Sequence, residues 1–196
     1  MKILFMSDEE NKRYWDFFQK EDFQEIDLIV SCGDLKAEYL SFLTTMTSIP
    51  VLYVRGNHDD KYEQKRPEGC ICIEDDIYEY QGIRLLGLGG SNRYKKGKNQ
   101  YTEKEMKYRV RRLYLKLFWK KGFDILVTHA PAHGINDDTD LCHKGFQTFV
   151  DLMEKYEPKY FVHGHVHMNY GRQFPRESYF GKTKVINAYN HYIVEI

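Results

Sequence analysis

Val51-Leu52-Tyr53-Val54-Arg55-Gly56-Asn57-His58-Asp59 is the stretch of sequence that decides the fold. Its first four residues form a short apolar run, which is typical of a buried strand. Gly56 then permits a sharp turn, and Asn57 and His58 follow at once. An amide oxygen is a neutral, hard metal donor, and an imidazole one residue later could sit beside the ion without binding it. The stretch therefore predicts a metal site with an adjacent proton donor, and an ordinary Gly-Asn-Asp turn is the alternative.

Other apolar runs in the chain end in polar residues of the same kind. They are followed by Asp8, by Asp34, by His129, and by His165 with His167. In open α/β sheets, ligand sites form outside the carboxyl ends of parallel strands. Carboxylate, amide and imidazole ligands together suit first-row divalent metals such as manganese, iron or zinc. The donors outnumber what one ion needs, so the sequence predicts two ions that share a bridging carboxylate.

The first part of the chain alternates strand and helix patterns, which predicts parallel strands joined by right-handed crossovers. The first crossover is expected to contain a helix from about Asn11 to Lys20, with Tyr14, Phe17 and Phe18 facing inward. Three short strands between residues 70 and 88 are expected to form a meander beside the parallel part. These patterns predict an α/β fold.

A second helix pattern begins at a capping box, Thr102-Glu103-Lys104-Glu105, in which the Thr hydroxyl and the Glu carboxylate satisfy backbone donors. Its inward side chains are expected to include Met106 and Leu117. Its other face is rich in Lys and Arg, which makes nucleic acid an alternative partner. A solvated face is the interpretation we favour.

Length and composition narrow the class of protein. The 196 residues predict one domain, residues 1–196, and the 29 basic and 29 acidic residues balance. No apolar run approaches the ~20 residues of a membrane span, and the apolar start at residues 1–6 is too short for a signal peptide. Without a secretory context, the four cysteines predict reduced thiols in a cytoplasmic protein. Cys70 and Cys72 are expected to be small sheet or core residues, with a zinc pair as the alternative.

Together, the motifs resemble those of the calcineurin-like metallophosphoesterases. The family pattern is Asp-x-His, Gly-Asp, Gly-Asn-His-Asp/Glu, a lone His, and Gly-His-x-His. In this chain the matching segments, in the same order, are Asp8-Glu9-Glu10, Gly33-Asp34, Gly56-Asn57-His58-Asp59, Thr128-His129-Ala130-Pro131 and Gly164-His165-Val166-His167. The resemblance implies two mixed β-sheets packed face to face and flanked by helices, with the C-terminal strands completing the second sheet.

The same resemblance implies a role for each matched residue. The implied ligands are Asp34 as the bridge, Asp8 and His167 for the first ion, and Asn57, His129 and His165 for the second. Two ions ~3.5–4 Å apart would hold a bridging hydroxide that attacks phosphorus, and His58 would protonate the leaving group. Arg55 and Arg93 are candidate phosphate ligands. For Arg55, a surface ion pair is the alternative.

The chain departs from the family pattern at Glu10, where the family usually has His. A third carboxylate at the first ion would favour manganese or magnesium over zinc, so we expect manganese, with iron, zinc or magnesium as alternatives. In the alternative interpretation, Glu10 faces solvent in the first turn of the following helix. The residues after Asp34 also depart, which leaves Glu38 and Asp59 as candidates for the acidic partner of His58.

The expected function is hydrolysis of phosphodiesters, with phosphomonoesters as possible further substrates. The chain has no evident cap domain, and an open site would admit a small phosphoester or a nucleotide-type substrate. No membrane association is expected. A protein-binding module that kept the fold and lost catalysis is the alternative, and the presence of His58 argues against it.

Overall fold

The computed structural model describes residues 1–168 and 175–196. Within these residues, the longer strands form one five-stranded and one six-stranded sheet, and two short strands form a separate ribbon. The α-helices are α1 (Ala37–Thr47), α2 (Glu103–Arg112), α3 (Tyr114–Trp119) and α4 (Gln147–Tyr156). The predicted α/β class with two mixed sheets flanked by helices is confirmed.

The first sheet consists of the N-terminal strands and the last strand of the chain. Its members are β1 (Lys2–Met6), β2 (Leu28–Ser31), β3 (Val51–Tyr53), β4 (Ile71–Cys72) and β13 (Tyr192–Glu195). Strands β1, β2 and β3 are parallel and neighbours in chain order, as the alternating patterns predict. Strand β4 adds a further parallel strand beside β3, and β13 pairs antiparallel with β1. The carboxyl ends of β1, β2 and β3 therefore lie along one edge.

The second sheet has the same plan, with parallel strands inside and antiparallel strands at the edges. Its members are β5 (Asp76–Tyr80), β6 (Ile83–Leu88), β9 (Ile125–Thr128), β10 (Tyr160–His163), β11 (Glu177–Phe180) and β12 (Thr183–Asn187). Strands β6, β9, β10 and β12 are parallel, while β5 and β11 run antiparallel to their neighbours. The ribbon pairs β7 (Ser91–Asn92) with β8 (Gln100–Tyr101).

Successive side chains of each strand point to opposite faces of its sheet. The core therefore consists of three apolar layers, one between the two sheets and one on the outer face of each sheet. Ile3 and Phe5 of β1 point between the two sheets, where they meet residues such as Val127 and Val162. The intervening residues of the first sheet pack against α1. The other face of the second sheet packs against α2, α3 and α4. The two sheets thus pack face to face, and their parallel strands carry the polar residues to one end of the sandwich.

Three expectations about the elements are wrong. Residues 11–20 form no α-helix: 3₁₀ turns occupy Lys12–Tyr14 and Lys20–Phe23, and Phe17 is 70% exposed. The strands of the expected meander belong to different sheets, β4 to the first and β5 and β6 to the second. The C-terminal strands are also divided, because β13 joins the first sheet. All four cysteines are free, but Cys72 is an exposed sheet residue, not a core residue.

Candidate metal centre

The candidate ligands meet where the carboxyl ends of both sheets come together. Asp8 follows β1 and His165 follows β10, and the backbone N–H of His165 donates to Oδ2 of Asp8 at 2.9 Å. Asp34 follows β2, and its Oδ1 accepts the backbone N–H of His58, after β3, at 2.8 Å. These bonds join loops from different strands and different sheets. The constellation predicted from separate motifs is therefore one site.

Three ligand atoms converge on one point at the second-ion position. Nε2 of His129 is 3.0 Å from Oδ1 of Asn57 and 3.3 Å from Oδ2 of Asp34. Ligand atoms of Asp34, His129 and His165 lie within 4.8 Å of one another. His129 and Asn57 are buried. These carboxylate, amide and imidazole atoms fit a first-row divalent ion, which the sequence analysis expected here.

The orientation of both imidazoles is fixed by backbone carbonyl groups, which can only accept. Nδ1 of His129 is 2.8 Å from the carbonyl oxygen of Cys32, so Nδ1 carries the hydrogen and Nε2 faces the other ligands. Nε2 of His165 is 2.7 Å from the carbonyl oxygen of Cys142, which leaves Nδ1 as the second donor atom of that ring. Metal-binding histidines commonly donate their other N–H in this way.

The charges of the cluster are strongly coupled. Burial opposes ionisation of Asp34, but the adjacent His129 outweighs it and lowers the pKa of Asp34 to about 2. Burial likewise opposes the charged form of His129, but Asp34 raises the pKa of His129 to about 9. Burial, reinforced by His129, lowers the pKa of His165 to about 3. The negative charge of Asp34, which favours protonation of His129, would equally favour a metal cation beside it.

The first-ion position contains Asp8 and His167. The Asp8 side chain is 1% exposed, and its Oδ1 lies 3.6 Å from Nε2 of His167. That oxygen is buried and has no hydrogen-bond partner among residues 1–168 and 175–196. A buried carboxylate oxygen without a donor is costly unless a cation compensates it. Asp8 therefore fits a metal ligand, although these two residues form a looser group than the second set.

The backbone of the site is strained in a way that brings the ligands together. Asp8, Asp34 and His165 have φ of 67°, 57° and 68°, a region that side-chain-bearing residues seldom occupy. A Cβ at Gly56 would lie 2.1 Å from Oδ1 of Asp34, and one at Gly164 would lie 1.8 Å from Oγ of Ser7. Strain of this kind concentrates at functional sites. These glycines are required because the loops touch there.

A family model, described as calcineurin-like phosphoesterase, matches residues 1–169. The chain belongs to this family. None of the curated proteins compared with the chain matches it. Membership supports metal-dependent phosphoester hydrolysis and divalent metal ions as cofactors.

Solved structures share the fold at low sequence identity. One crystal structure aligns over 98% of this chain and 94% of its own, with a TM-score of 0.69 and 14% identity. TT1561 of Thermus thermophilus aligns over 96% of this chain and 89% of its own, with a TM-score of 0.61 and 16% identity. GAP50, described as the anchor in the inner membrane complex of Plasmodium, aligns over 95% of this chain and 70% of its own, with a TM-score of 0.52 and 13% identity.

In this chain, no helix of the described residues has the length and apolarity needed to span a membrane.

Glu10, the residue that departs from the family pattern, lies apart from the ligand cluster. Its carboxylate accepts the backbone N–H of Lys36 at 3.1 Å and pairs with the Lys36 ammonium at 3.4 Å. It lines the same cleft as Asp34 and His58. The expected helix that would place Glu10 in its first turn does not form. A ligand role for Glu10 stays a prediction, since it requires the Lys36 contacts to break.

His58 is exposed in a cleft of about 630 Å³ that Asp34 also lines. Neither candidate for its acidic partner bonds to its imidazole within the described part of the chain. Oδ2 of Asp59 instead accepts the backbone N–H groups of Asp34 and Gly56, at 2.8 and 2.7 Å. Glu38 pairs with Lys65. Asp59 therefore supports the loop that carries Asp34, and burial followed by the Asp34 charge raises the pKa of Asp59 to about 7.

The two candidate phosphate ligands are both engaged with carboxylates. Nε of Arg55 donates to Glu74 at 2.6 Å, which is the ion pair that the sequence analysis gave as the alternative. Arg93 donates to both oxygens of Glu105 at 2.9 Å and also to the carbonyl oxygen of Gln100. Contact between either guanidinium and substrate stays a prediction.

Sequence reasoning missed several residues that touch the candidate ligands, and Tyr94 and Cys142 are two of them. The Tyr94 hydroxyl accepts from Nδ2 of Asn57 at 3.2 Å, which turns the amide oxygen toward His129. Cys142 contacts His165 through its carbonyl oxygen. Both lie in loops, and no local pattern connects them to a strand end. Of the other histidines, His163 is buried and stacked on Phe161, as a core residue would be.

Proposed function

We propose that this protein is a dinuclear-metal phosphodiesterase, for which phosphomonoesters would be poorer substrates. The observation that carries the proposal is the convergence of Asp34, Asn57, His129 and His165, together with a cleft that Asp34 and the exposed His58 both line. Family membership supports metal-dependent phosphoester hydrolysis in general. The choice of diesters rests on the volume of that cleft, about 630 Å³, which leaves room for a second ester substituent.

Each side chain has a distinct task in this proposal. Asp34 is the bridging ligand, Asp8 and His167 complete one ion site, and Asn57, His129 and His165 complete the other. Two bound ions would supply an activated water as nucleophile and neutralise the phosphate oxygens. His58 lies beside Asp34, is not needed as a ligand, and donates a proton to the leaving oxygen. Asp59 and the carbonyl of Cys32 hold Asp34 and His129 in place.

Manganese is the metal that we propose supports the highest activity. The donor set contains two buried carboxylates and an amide oxygen, which are hard ligands. Glu10 would add a third carboxylate if it left Lys36. An anomalous-scattering structure with manganese tests this part: an oxygen of Glu10 well beyond ~2.5 Å from a fully occupied ion excludes it as a ligand.

The deciding experiment measures hydrolysis of a chromogenic bis-aryl phosphate and the matching aryl monoester, with manganese, magnesium, zinc and iron in turn. Metal content is measured on the same samples. We expect the diester to be hydrolysed faster with manganese than with the other metals. Faster monoester hydrolysis would overturn the substrate class, and activity in a chelated sample would overturn the metal dependence.

A binding module without catalysis is the second candidate. It is favoured by the pairing of Glu10 with Lys36, which leaves the first-ion position with Asp8 and His167 beside the shared Asp34. If the protein binds metal but hydrolyses neither ester with any of the four metals, this candidate replaces the first.

A further inference from the structure

A second group of metal-ligating side chains lies beside the proposed centre. Cys142, His143 and His165 each offer one ligand atom, and these atoms lie within 4.8 Å of one another. Sγ of Cys142 is 3.9 Å from Nε2 of His165, and the ring centroids of His143 and His165 are 5.2 Å apart. His165 is buried and the other two are partly buried. One thiol and two imidazoles are ligand types that zinc prefers.

The loop that carries Cys142 and His143 is held by a single carboxylate. Oδ1 of Asp140 accepts the backbone N–H groups of Cys142 and His143, at 2.8 and 3.0 Å. Its other oxygen is 2.8 Å from Nδ1 of His143. A carboxylate on the second ring nitrogen is the usual support of a metal-binding histidine, because it fixes the ring orientation and raises its basicity.

His165 belongs to both groups of ligands. Its ring centroid is 4.7 Å from that of His129 on the side of the proposed centre and 5.2 Å from that of His143 on the other. Its Nε2 points to Cys142, where it lies 2.7 Å from the carbonyl oxygen. An ion held by Sγ would lie next to Nε2 and would displace that hydrogen bond.

We propose that Cys142, His143 and His165 form an accessory site for a thiophilic divalent cation of the zinc class, with a fourth position left for water. The thiol loses its proton as the sulfur–metal bond forms, and Nε2 of His165 also loses its proton if Nδ1 already holds the second catalytic ion, so binding at the shared ring releases two protons to solvent. Because His165 is shared, occupation of this site alters a ligand of the second catalytic ion. Excess zinc is therefore expected to inhibit manganese-supported hydrolysis, a consequence that rests on the proposed function.

Cobalt(II) is the probe for binding, because a thiolate ligand gives it an intense sulfur-to-metal charge-transfer absorption in the near ultraviolet. We expect this band in the natural protein and in the control Cys70→Ser, and its loss in Cys142→Ser. His143→Ala should weaken cobalt binding, while the control His133→Ala should not. Absence of the band from the natural protein, or its persistence in Cys142→Ser, would overturn the accessory site.

Zinc inhibition is measured separately, in the presence of saturating manganese. In Cys142→Ser the zinc concentration for half inhibition should rise at least about tenfold, the lower end of what loss of a supporting partner costs a metal site. Equal inhibition of both proteins would overturn the link to His165. The cobalt band needs no turnover, so a protein that shows the band but hydrolyses no ester refutes the proposed function and leaves the accessory site standing.

An independent observation concerns the surface around α3. Four large side chains there are more than half exposed: Tyr114, Leu115, Phe118 and Trp119. Beside them runs a groove of about 480 Å³ between α2, α3 and α4. Its apolar lining consists of Val110, Tyr114, Leu117, Leu152 and Tyr156. Exposed apolar side chains that cluster beside a groove and are rimmed by polar residues are typical of an interaction site.

The charges around the groove indicate the kind of partner. Lys107, Arg111 and Lys155 line it, against one acidic residue, Asp151. Lys107 and Arg111 make no ion pair within residues 1–168 and 175–196. A basic rim around an apolar groove is complementary to an apolar ridge flanked by acidic side chains. A concave groove also suits a narrow ridge better than a flat membrane surface.

We infer that the α3 groove docks an amphipathic helix of a partner protein, with apolar side chains at i, i+3, i+4 and i+7 and acidic residues beside them. The probe is a displayed library of randomised helical peptides, selected on the natural protein and counter-selected on a Tyr114→Ser/Arg111→Glu variant. Enriched peptides should show this pattern and bind Arg111→Glu at least about tenfold more weakly, the 1.4 kcal/mol equivalent of one good contact.

Two other occupants are separate outcomes of the same study. Binding to vesicles of anionic phospholipid that is lost in Trp119→Ser would assign the surface to a membrane. Self-association in sedimentation that is lost in the same variant would assign it to a second copy of the chain. Either result, or a library that enriches no acidic-flanked helix against the variant, would overturn the inferred partner.

Discussion

His58 is exposed, whereas the candidate ligands Asn57, His129 and His165 are buried. We therefore predict that His58→Ala keeps its metal and loses turnover, by about 10²–10⁴-fold, with the larger loss for esters whose leaving oxygen is more basic. Rates for aryl and alkyl diesters and metal content are the measurements. His133→Ala, another exposed histidine, is the control. Equal losses for both esters would contradict a proton-donor role.

Asp34 uses both of its carboxylate oxygens within the site, since one accepts from His58 and the other lies 3.3 Å from His129. We predict that Asp34→Asn lowers the occupancy of both ion sites together, because an amide supplies only one comparable donor. Metal analysis after dialysis checks this. Retention of one ion at its original affinity would show that Asp34 does not bridge.

At this scale the sequence predicted the candidate ligands because each lies directly after a buried strand, where position follows from local pattern. Local pattern does not determine where the Glu10 side chain points. Its orientation depends on Lys36, a residue 26 positions away whose backbone and ammonium both hold the carboxylate. Arg55 pairs with Glu74, and Arg93 pairs with Glu105. These pairings likewise depend on tertiary contacts.

At the scale of elements, glycines allow the loops at the candidate site to pack closely, because a glycine has no Cβ to clash with the neighbouring loop. We predict that Gly56→Ala weakens metal binding at least about tenfold, as disturbance of a ligand's surroundings does, because its Cβ would lie 2.1 Å from Oδ1 of Asp34. The fold should persist. Isothermal titration with manganese and a thermal melt measure the two effects.

The matched control is Gly181→Asn, at a position with φ of 57° and no atom within 4 Å of an added Cβ. Asn tolerates that backbone conformation. Unchanged metal binding is expected there. If Gly56→Ala bound manganese as tightly as this control, the close packing of the two loops would not be needed for the site.

The segment from residue 11 to 20 shows why periodicity can specify burial without specifying backbone. Two of its aromatic residues do pack inward, Trp15 against Tyr39 and Phe42, and Phe18 against Phe23, although Phe17 is exposed. Trp15 and Phe18 lie between two short 3₁₀ turns, the first of which is capped by the Asn11 side chain. The capping box at Thr102, in contrast, is confirmed in both of its bonds. Its partners lie within one helical turn, so the sequence alone suffices.

At the scale of the whole molecule, the C-terminal strand lies beside the N-terminal strand. Strand β13 pairs with β1, the strand that leads to Asp8, and the first amino group bonds to the carbonyl oxygen of Ile196. The family resemblance predicts this strand in the second sheet, whereas its own pattern predicts only that the segment is extended and not which edge it joins. The sheet that leads to Asp8 therefore includes a strand that is distant from it in sequence.

This closure can be tested at Val194, which is buried between the two sheets, against Ile193 on the opposite face of the same strand. We predict that Val194→Ala lowers the free energy of unfolding by about 1–3 kcal/mol, from lost burial and the cavity left behind. Ile193→Ala should change it by less than ~0.5 kcal/mol, as most exposed positions do. Urea unfolding of both variants measures the difference. Equal destabilisation would mean that β13 holds the sheet through its backbone bonds alone, whereas the expected contrast would show that the last strand stabilises the packing of the two sheets that carry the ligands.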